Sequence, residues 1–213
     1  MALITALDDD SIRIVCEGLC NALEPRIAVA FSTSSPEFRR PSRNGVRAPT
    51  QAAQQQLRTQ HEAAAALCHK VGMRGCKEFR KAASAYWHNK RLTGADLEKL
   101  GTLGSVLPAL KVLSLSGNAT DPDGVQRLAA GLGCAEGSPD LPNLSHLILS
   151  ATQMGDAGAS ALAAALNRGA MPVLQVLAAR DNGIGDAGLL ALAPALRRRS
   201  NLEGVSLAGN PLG

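Results

Sequence analysis

Aromatic side chains are nearly missing from this sequence: one Trp, one Tyr and three Phe among 213 residues. That scarcity bears on nucleic acid first. Single-stranded binders stack bases on aromatic rings within a basic groove, and here the basic middle of the chain, Glu37 to Arg91, holds only Phe38, Phe79, Tyr86 and Trp87. That segment carries twelve Lys/Arg against three Asp/Glu, while the whole chain has a net charge of only +4. Nucleic acid is therefore not an expected partner, and the basic segment reads as a solvated helix surface plus an Arg-containing loop.

Other absences narrow the choice further. No run approaches the ~20 apolar residues that a membrane span needs. Asp8, Asp9 and Asp10 stand where a secretory leader would be basic. The five cysteines (Cys16, Cys20, Cys68, Cys76, Cys134) are an odd number without framework spacing. They point to free thiols in a reducing, cytoplasmic or nuclear setting. The four histidines (His61, His69, His88, His146) form no metal spacing, and no Gly-Lys-Ser/Thr follows a glycine-rich turn. No nucleophile stands with a base. Neither an enzyme nor a cofactor is expected.

What the chain has is a repeat. Leu174, Leu177, Asn182, Gly185-Asp186-Ala187-Gly188, Leu192 and Leu196 form one copy. Thirty residues earlier stand Leu144, Leu147, Leu149, Thr152, Gly155-Asp156-Ala157-Gly158, Leu162 and Leu166. A further copy runs through Leu110, Leu113, Leu115, Asn118, Gly124, Leu128 and Leu132, and a fourth starts with Leu202, Val205, Leu207 and Asn210. The front half alternates like a strand. The back half places leucines four apart, on one helix face. One unit cannot bury its leucines alone, but stacked units can. The asparagines Asn118, Asn182 and Asn210 fall where the chain leaves each strand, placed to satisfy the backbone of the turn as a ladder. Thr152 can do part of that bonding. Asp156 and Asp186 suit the positive end of a helix, and the glycine turns around them recur once per repeat, which favours a repeat element over phosphate binding. Pro194 should bend the last helix by crowding the carbonyl of Leu190.

This spacing, with Leu-x-x-Leu-x-Leu-x-x-Asn followed by Gly-x-x-x-Leu-x-x-x-Leu, resembles leucine-rich repeats of the ribonuclease-inhibitor type. The resemblance covers roughly residues 90 to 213. It implies an α/β solenoid with parallel strands on a concave face, helices on a convex face, and a use in protein binding. One group with such repeats activates GTPases, which supplies an alternative function. Asn210-Pro211-Leu212-Gly213 stops before a helix; a truncated array with a poorly held last repeat is expected.

Ahead of the repeats an all-α region is expected. Residues 1–42 open with Leu7-Asp8-Asp9-Asp10 and continue in an Ile12/Val15/Leu19 stripe, with a second pair of elements from Pro25 to Phe38. This stretch resembles an F-box-like module, which implies a ubiquitin-ligase adaptor as partner and a substrate-receptor role. Residues 43–88 read as a basic helical linker, with a helix from Gln51 to His69, a break at Val71–Gly75 and a second helix from Lys77 to His88. The solenoid is expected over 89–213. Alternation turns Val112, Ser114 and Ser116; His146, Ile148 and Ser150; Val176, Ala178 and Arg180; and Gly204, Ser206 and Ala208 toward the concave face. Among them His146, Arg180 and the neighbouring Asp181 are the candidate partner-binding residues, with Arg180 expected to reach freely outward. The partner is expected to be a protein, and the chain a monomer.

Overall fold

The computed structural model describes residues 51–118, 123–132 and 140–213, so the F-box-like expectation for 1–42 lies outside the described residues. The elements run α1 (Gln51–Val71), α2 (Cys76–Lys81), β1 (Ser84–Tyr86), α3 (Gly94–Thr102), β2 (Val112–Ser114), α4 (Gly124–Gly131), β3 (His146–Ile148), α5 (Gly155–Asn167), β4 (Val176–Ala178), α6 (Asp186–Arg197) and β5 (Gly204–Ser206). The five strands form one parallel sheet in sequence order. Leu113, Leu147, Leu177 and Val205 occupy one register row. This is the expected leucine-rich-repeat solenoid. Strands pair at about 4.8 Å, whereas helices pack at about 8–10 Å, so the sheet takes the inside of the curve.

The aliphatic pattern builds the core directly. Leu113, Leu147 and Leu177 from the strands meet Leu128, Leu162 and Leu192 from the helices, all at most 1% exposed. Two helices approach unusually closely. A Cβ on Gly101 of α3 would lie 3.1 Å from the Cα of Gly131 in α4, and one on Gly131 would lie 2.9 Å from the carbonyl carbon of Gly101. Helix α6 runs unbroken through Pro194. Both Pro194 and Leu190 are exposed, so water can take the carbonyl that the ring leaves without an amide.

One expectation is corrected. The helix expected over Lys77–His88 ends at Lys81, and Ser84–Tyr86 is instead the first strand, paired with Val112–Ser114. The sheet thus begins before residue 89. Ala85 and Trp87 enter the core where later repeats place Leu113 and Leu115. Helices α1 and α2 cover this end of the core with Leu67, Cys68, Val71, Cys76 and Phe79. The rings of Phe79 and Trp87 lie 4.9 Å apart at 48°. Cys68 and Cys76 are buried free thiols. Burial, with Cys76 beside it, pushes the Cys68 thiol up to about 12.

Three sets of side-chain hydrogen bonds run between neighbouring repeats. The first is the asparagine ladder. Asn118 Oδ1 accepts from the amides of Lys90 and Leu92, and its Nδ2 donates to Trp87 O and Leu115 O. Asn182 likewise reaches back to Thr152 N, Met154 N and Leu149 O, and Asn210 to Asn182 N, Ile184 N and Ala179 O. Thr152 donates to Leu149 O within its own turn and leans on Asn182 Oδ1.

The second set was not anticipated. Asp156 lies in the first turn of its own helix but makes no cap there. Its Oδ1 instead accepts from Gly185 N at 2.7 Å and Gly188 N at 2.9 Å, the start of the next repeat's helix. A carboxylate against those positive amides is favoured electrostatically. The third set sits at the opposite helix ends. Arg168 donates to Ala129 O and Leu132 O, and Arg199 to Leu166 O, Ala170 O and Met171 O. Burial lowers the pKa of Arg199, and the last carbonyls of the preceding helix receive its guanidinium.

Beyond β5 the pattern is open. Val205 is 41% exposed, and Leu202 and Leu207 are half-buried. With Leu189, Ala193 and Leu196 they line an apolar hollow rimmed by Arg197 and Arg199.

Candidate protein-binding face

Parallel pairing with side chains alternating across each strand arranges the outward positions in three rows. The first row is Ser84, Val112, His146, Val176 and Gly204. The second is Tyr86, Ser114, Ile148, Ala178 and Ser206. Amide bonds from Asn89 to Ser116 O, Gly117 to Ser150 O, Ala151 to Arg180 O and Asp181 to Ala208 O extend the sheet to a third row: His88, Ser116, Ser150, Arg180 and Ala208. The centre is mildly apolar, with Val112, Ile148 and Val176 half-buried. The third row is mostly polar. None of the fifteen positions carries a carboxylate.

Each candidate residue has a distinct setting. His146 is half-buried, and its Nδ1 lies 2.8 Å from Ser145 Oγ, which donates to Lys111 O. Arg180 is exposed but not fully free: its Nε donates to Ser206 Oγ at 2.6 Å. The long cation is thereby laid toward β5, with its terminal amino groups turned over to solvent chemistry. His146 and Arg180 do not meet. They stand on adjacent strands but four residues apart along them, about 13 Å.

Asp181 serves the turn more than the face. Its backbone takes a φ of 53°, in the left-handed region. Its carboxylate lies where a Cβ on Gly209 would be, so only glycine leaves it room. Asn89 and Gly117 make the same pairing three repeats earlier. The three ladder asparagines are structural: Asn118 and Asn182 are 2% exposed and bonded to backbone on both sides.

Three residues of the face, Ser84, Tyr86 and His88, escaped the sequence pattern. Tyr86 and His88 stand on the outward side of β1, and Tyr86 is 58% exposed. The helical reading of Lys77–His88 hid them. A signal was present: Ala85 and Trp87 fall 28 residues before Leu113 and Leu115, the period of the array. Alanine and tryptophan in place of leucine masked it. The approach of cations or metals is not favoured by any local cluster; among the described residues no group of three His, Cys, Asp or Glu could hold a metal ion. Nor, among them, is any helix long and apolar enough to cross a membrane.

Comparison with known proteins agrees with this architecture. A leucine-rich-repeat family model matches residues 140–163 and 170–193. Tonsoku-like protein of Bos taurus is 43% identical over 89 residues, which is 42% of this chain and 6% of that protein. The chain therefore matches a small part of that relative's length.

Proposed function

We propose that this leucine-rich repeat chain is a protein-interaction module that takes its partner on the strand face. The observation that supports the reading is the contrast between the two sides of the sheet. Leucines fill the inner side to 0–1% exposure in the three middle strands. The outer side spends its fifteen positions on Ser, Ala, Gly, Val, His, one Ile, one exposed Tyr and one Arg. Such a face does nothing for the core beyond pairing its strands, and its small side chains leave backbone and Arg180 within reach of an incoming segment. Arg180 is the anchor, His146 a second polar contact, and Asp181 holds the turn that presents Arg180.

A photo-crosslinking residue at Ala178, in the centre of the face, tests this against one at Leu190, which is 74% exposed on α6. Crosslinked partner is expected from Ala178. Capture from Leu190 with none from Ala178 would move the binding surface to the helices.

A finer reading makes the chain a substrate receptor of a ubiquitin ligase, with residues 1–42 holding the adaptor and the repeats holding the substrate. It is supported by the order of the acidic, F-box-like opening and the repeat array. Adaptor should co-purify with the full chain and be lost when residues 1–42 are removed; failure to co-purify with the full chain reduces the function to a scaffold. For GTPase activation, the alternative, Asn118 and Asn182 are poor candidates because their amide groups are committed to the ladder. A panel of GTPases whose hydrolysis is not accelerated would dispose of it.

A further inference from the structure

We infer that the strand face recognises an extended, acidic segment of a partner protein at two points, with Arg180 taking a carboxylate and Tyr86 packing on an apolar residue. This rests on the strand face being the binding surface and adds the chemistry of what it binds.

Charge points to the ligand. The fifteen outward positions hold no Asp or Glu but include His88, His146 and Arg180. The nearest carboxylate in sequence, Asp181, turns to the space beside Gly209 in the turn. Arg180 therefore meets no competing anion on its own face. Its Nε bond to Ser206 Oγ fixes the guanidinium plane across the sheet. The remaining NH2 groups can make paired bonds to a carboxylate, a geometry that lysine lacks.

Shape supplies the second point. Tyr86 stands at the opposite end of the sheet on β1, and among the described residues it is the one exposed aromatic. Between it and Arg180 lie only Ser114, Ile148 and Ala178 in the second row, none large enough to block an extended chain. Tyrosine offers large rigid area with little conformational entropy to lose, which suits an anchor.

The register then sets a spacing. Tyr86 aligns with Ala178 across three strand gaps of about 4.8 Å, and Arg180 lies two residues, about 7 Å, further along. Their backbones are thus about 16 Å apart, but the bond from Arg180 Nε to Ser206 Oγ carries the guanidinium to β5, a fourth strand gap from Tyr86 and about 19 Å across the row. In an extended ligand only residues an even number apart face the same way. Six residues span about 20 Å. The ligand should carry a Leu or Phe and a Glu or Asp six positions apart.

The test is an array of decapeptides in which one Leu and one Glu are moved through every spacing, with Glu→Gln and Glu→Lys versions, probed with the full chain. The parent should select Leu and Glu six apart and bind the Glu→Gln peptide at least tenfold more weakly. Arg180→Glu should lose the acidic peptide by about thirtyfold and gain the Glu→Lys peptide. Tyr86→Ala should weaken binding while leaving the Glu/Gln ratio intact. Neutral peptides binding as tightly as acidic ones, or no peptide binding at all, would overturn the inference. Ala178→Arg separates the two levels. If neutral and acidic peptides bind the parent alike and Ala178→Arg abolishes both, the face stands and the acidic specificity falls. If it affects no bound peptide, both fall.

Discussion

Truncating Asn182 to alanine should be among the most destructive polar changes in the chain. Asn182 is 2% exposed. Its Oδ1 accepts from Thr152 N at 2.8 Å and Met154 N at 3.3 Å. Its Nδ2 donates to Leu149 O at 2.8 Å and Arg180 O at 3.1 Å. Alanine leaves two buried amides and the Leu149 carbonyl without this partner, though Thr152 Oγ1 still serves that carbonyl. Leaving a buried donor unsatisfied costs about 1–3 kcal/mol. Two such amides give about 2–6 kcal/mol, at the lower end if water enters the turn. Urea denaturation of parent and variant measures this as a fall in midpoint at constant slope. Asn167→Ala is the control. Asn167 is exposed, with a single bond at 3.3 Å from Arg198, and its loss should cost less than about 0.5 kcal/mol. If Asn182→Ala is no worse than Asn167→Ala, the ladder does not carry the join between repeats.

Gly101→Ala should destabilise by more than about 1 kcal/mol although alanine is the better helix former, because the new methyl meets Gly131 and the carbonyl of Leu128 across the α3–α4 contact; a stabilised variant would mean that these helices can separate freely. At Asp96, burial raises the carboxyl pKa, but hydrogen bonds from Lys70 and Thr93 outweigh it and hold the group below its ordinary value. A lowered folded pKa contributes stability that is present above the unfolded pKa of about 3.9 and is lost as pH falls through the folded value. Asp96→Asn should therefore be less stable than the parent at pH 7, with the gap closing below about pH 4; a gap unchanged from pH 7 to pH 3 would refute the linkage.

The array was legible because period and chemistry agree in it. Leucines at strand and helix spacing gave β2 to β5 and α4 to α6, and the asparagines gave the ladder. The N-terminal unit was not legible. Ala85 and Trp87 fill the leucine positions of its strand, and Phe79 and Tyr86 fall at a helical interval by coincidence. Thr93, whose hydroxyl accepts from Asp96 N while Asp96 accepts from Thr93 N, was readable as a capping box three residues apart, a signal that lay in plain view. Asp156 was harder. Its position announced a helix start, and only stacking reveals that it serves the helix of the next repeat. For the face, alternation gave the correct outward residues, but the tie from Arg180 to Ser206 depends on pairing between strands 26 residues apart.

The division of labour within each repeat explains why so little of the face was needed for the fold. The side-chain bonds that tie one repeat's backbone to the next come from positions off the face: Asn118, Asn182 and Asn210 in the turns, Asp156 at the helix start, and Arg168 and Arg199 past the helix ends. The leucines point inward. A stack held by nearest-neighbour contacts of this kind stays intact whatever occupies the fifteen outward positions, apart from strand pairing itself. Those positions are therefore free to be set by a ligand. In a chain this poor in aromatic residues, the placement of Tyr86 in the open at one end of the sheet, while Trp87 beside it is 3% exposed and belongs to the core, is the expenditure that the fold does not account for. The same holds for Arg180, whose side chain, among the described residues, ties to Ser206 along the face and stabilises no backbone. Residues that a fold does not require, set on a surface that carries no anion of its own, are the ones whose identity a partner must explain.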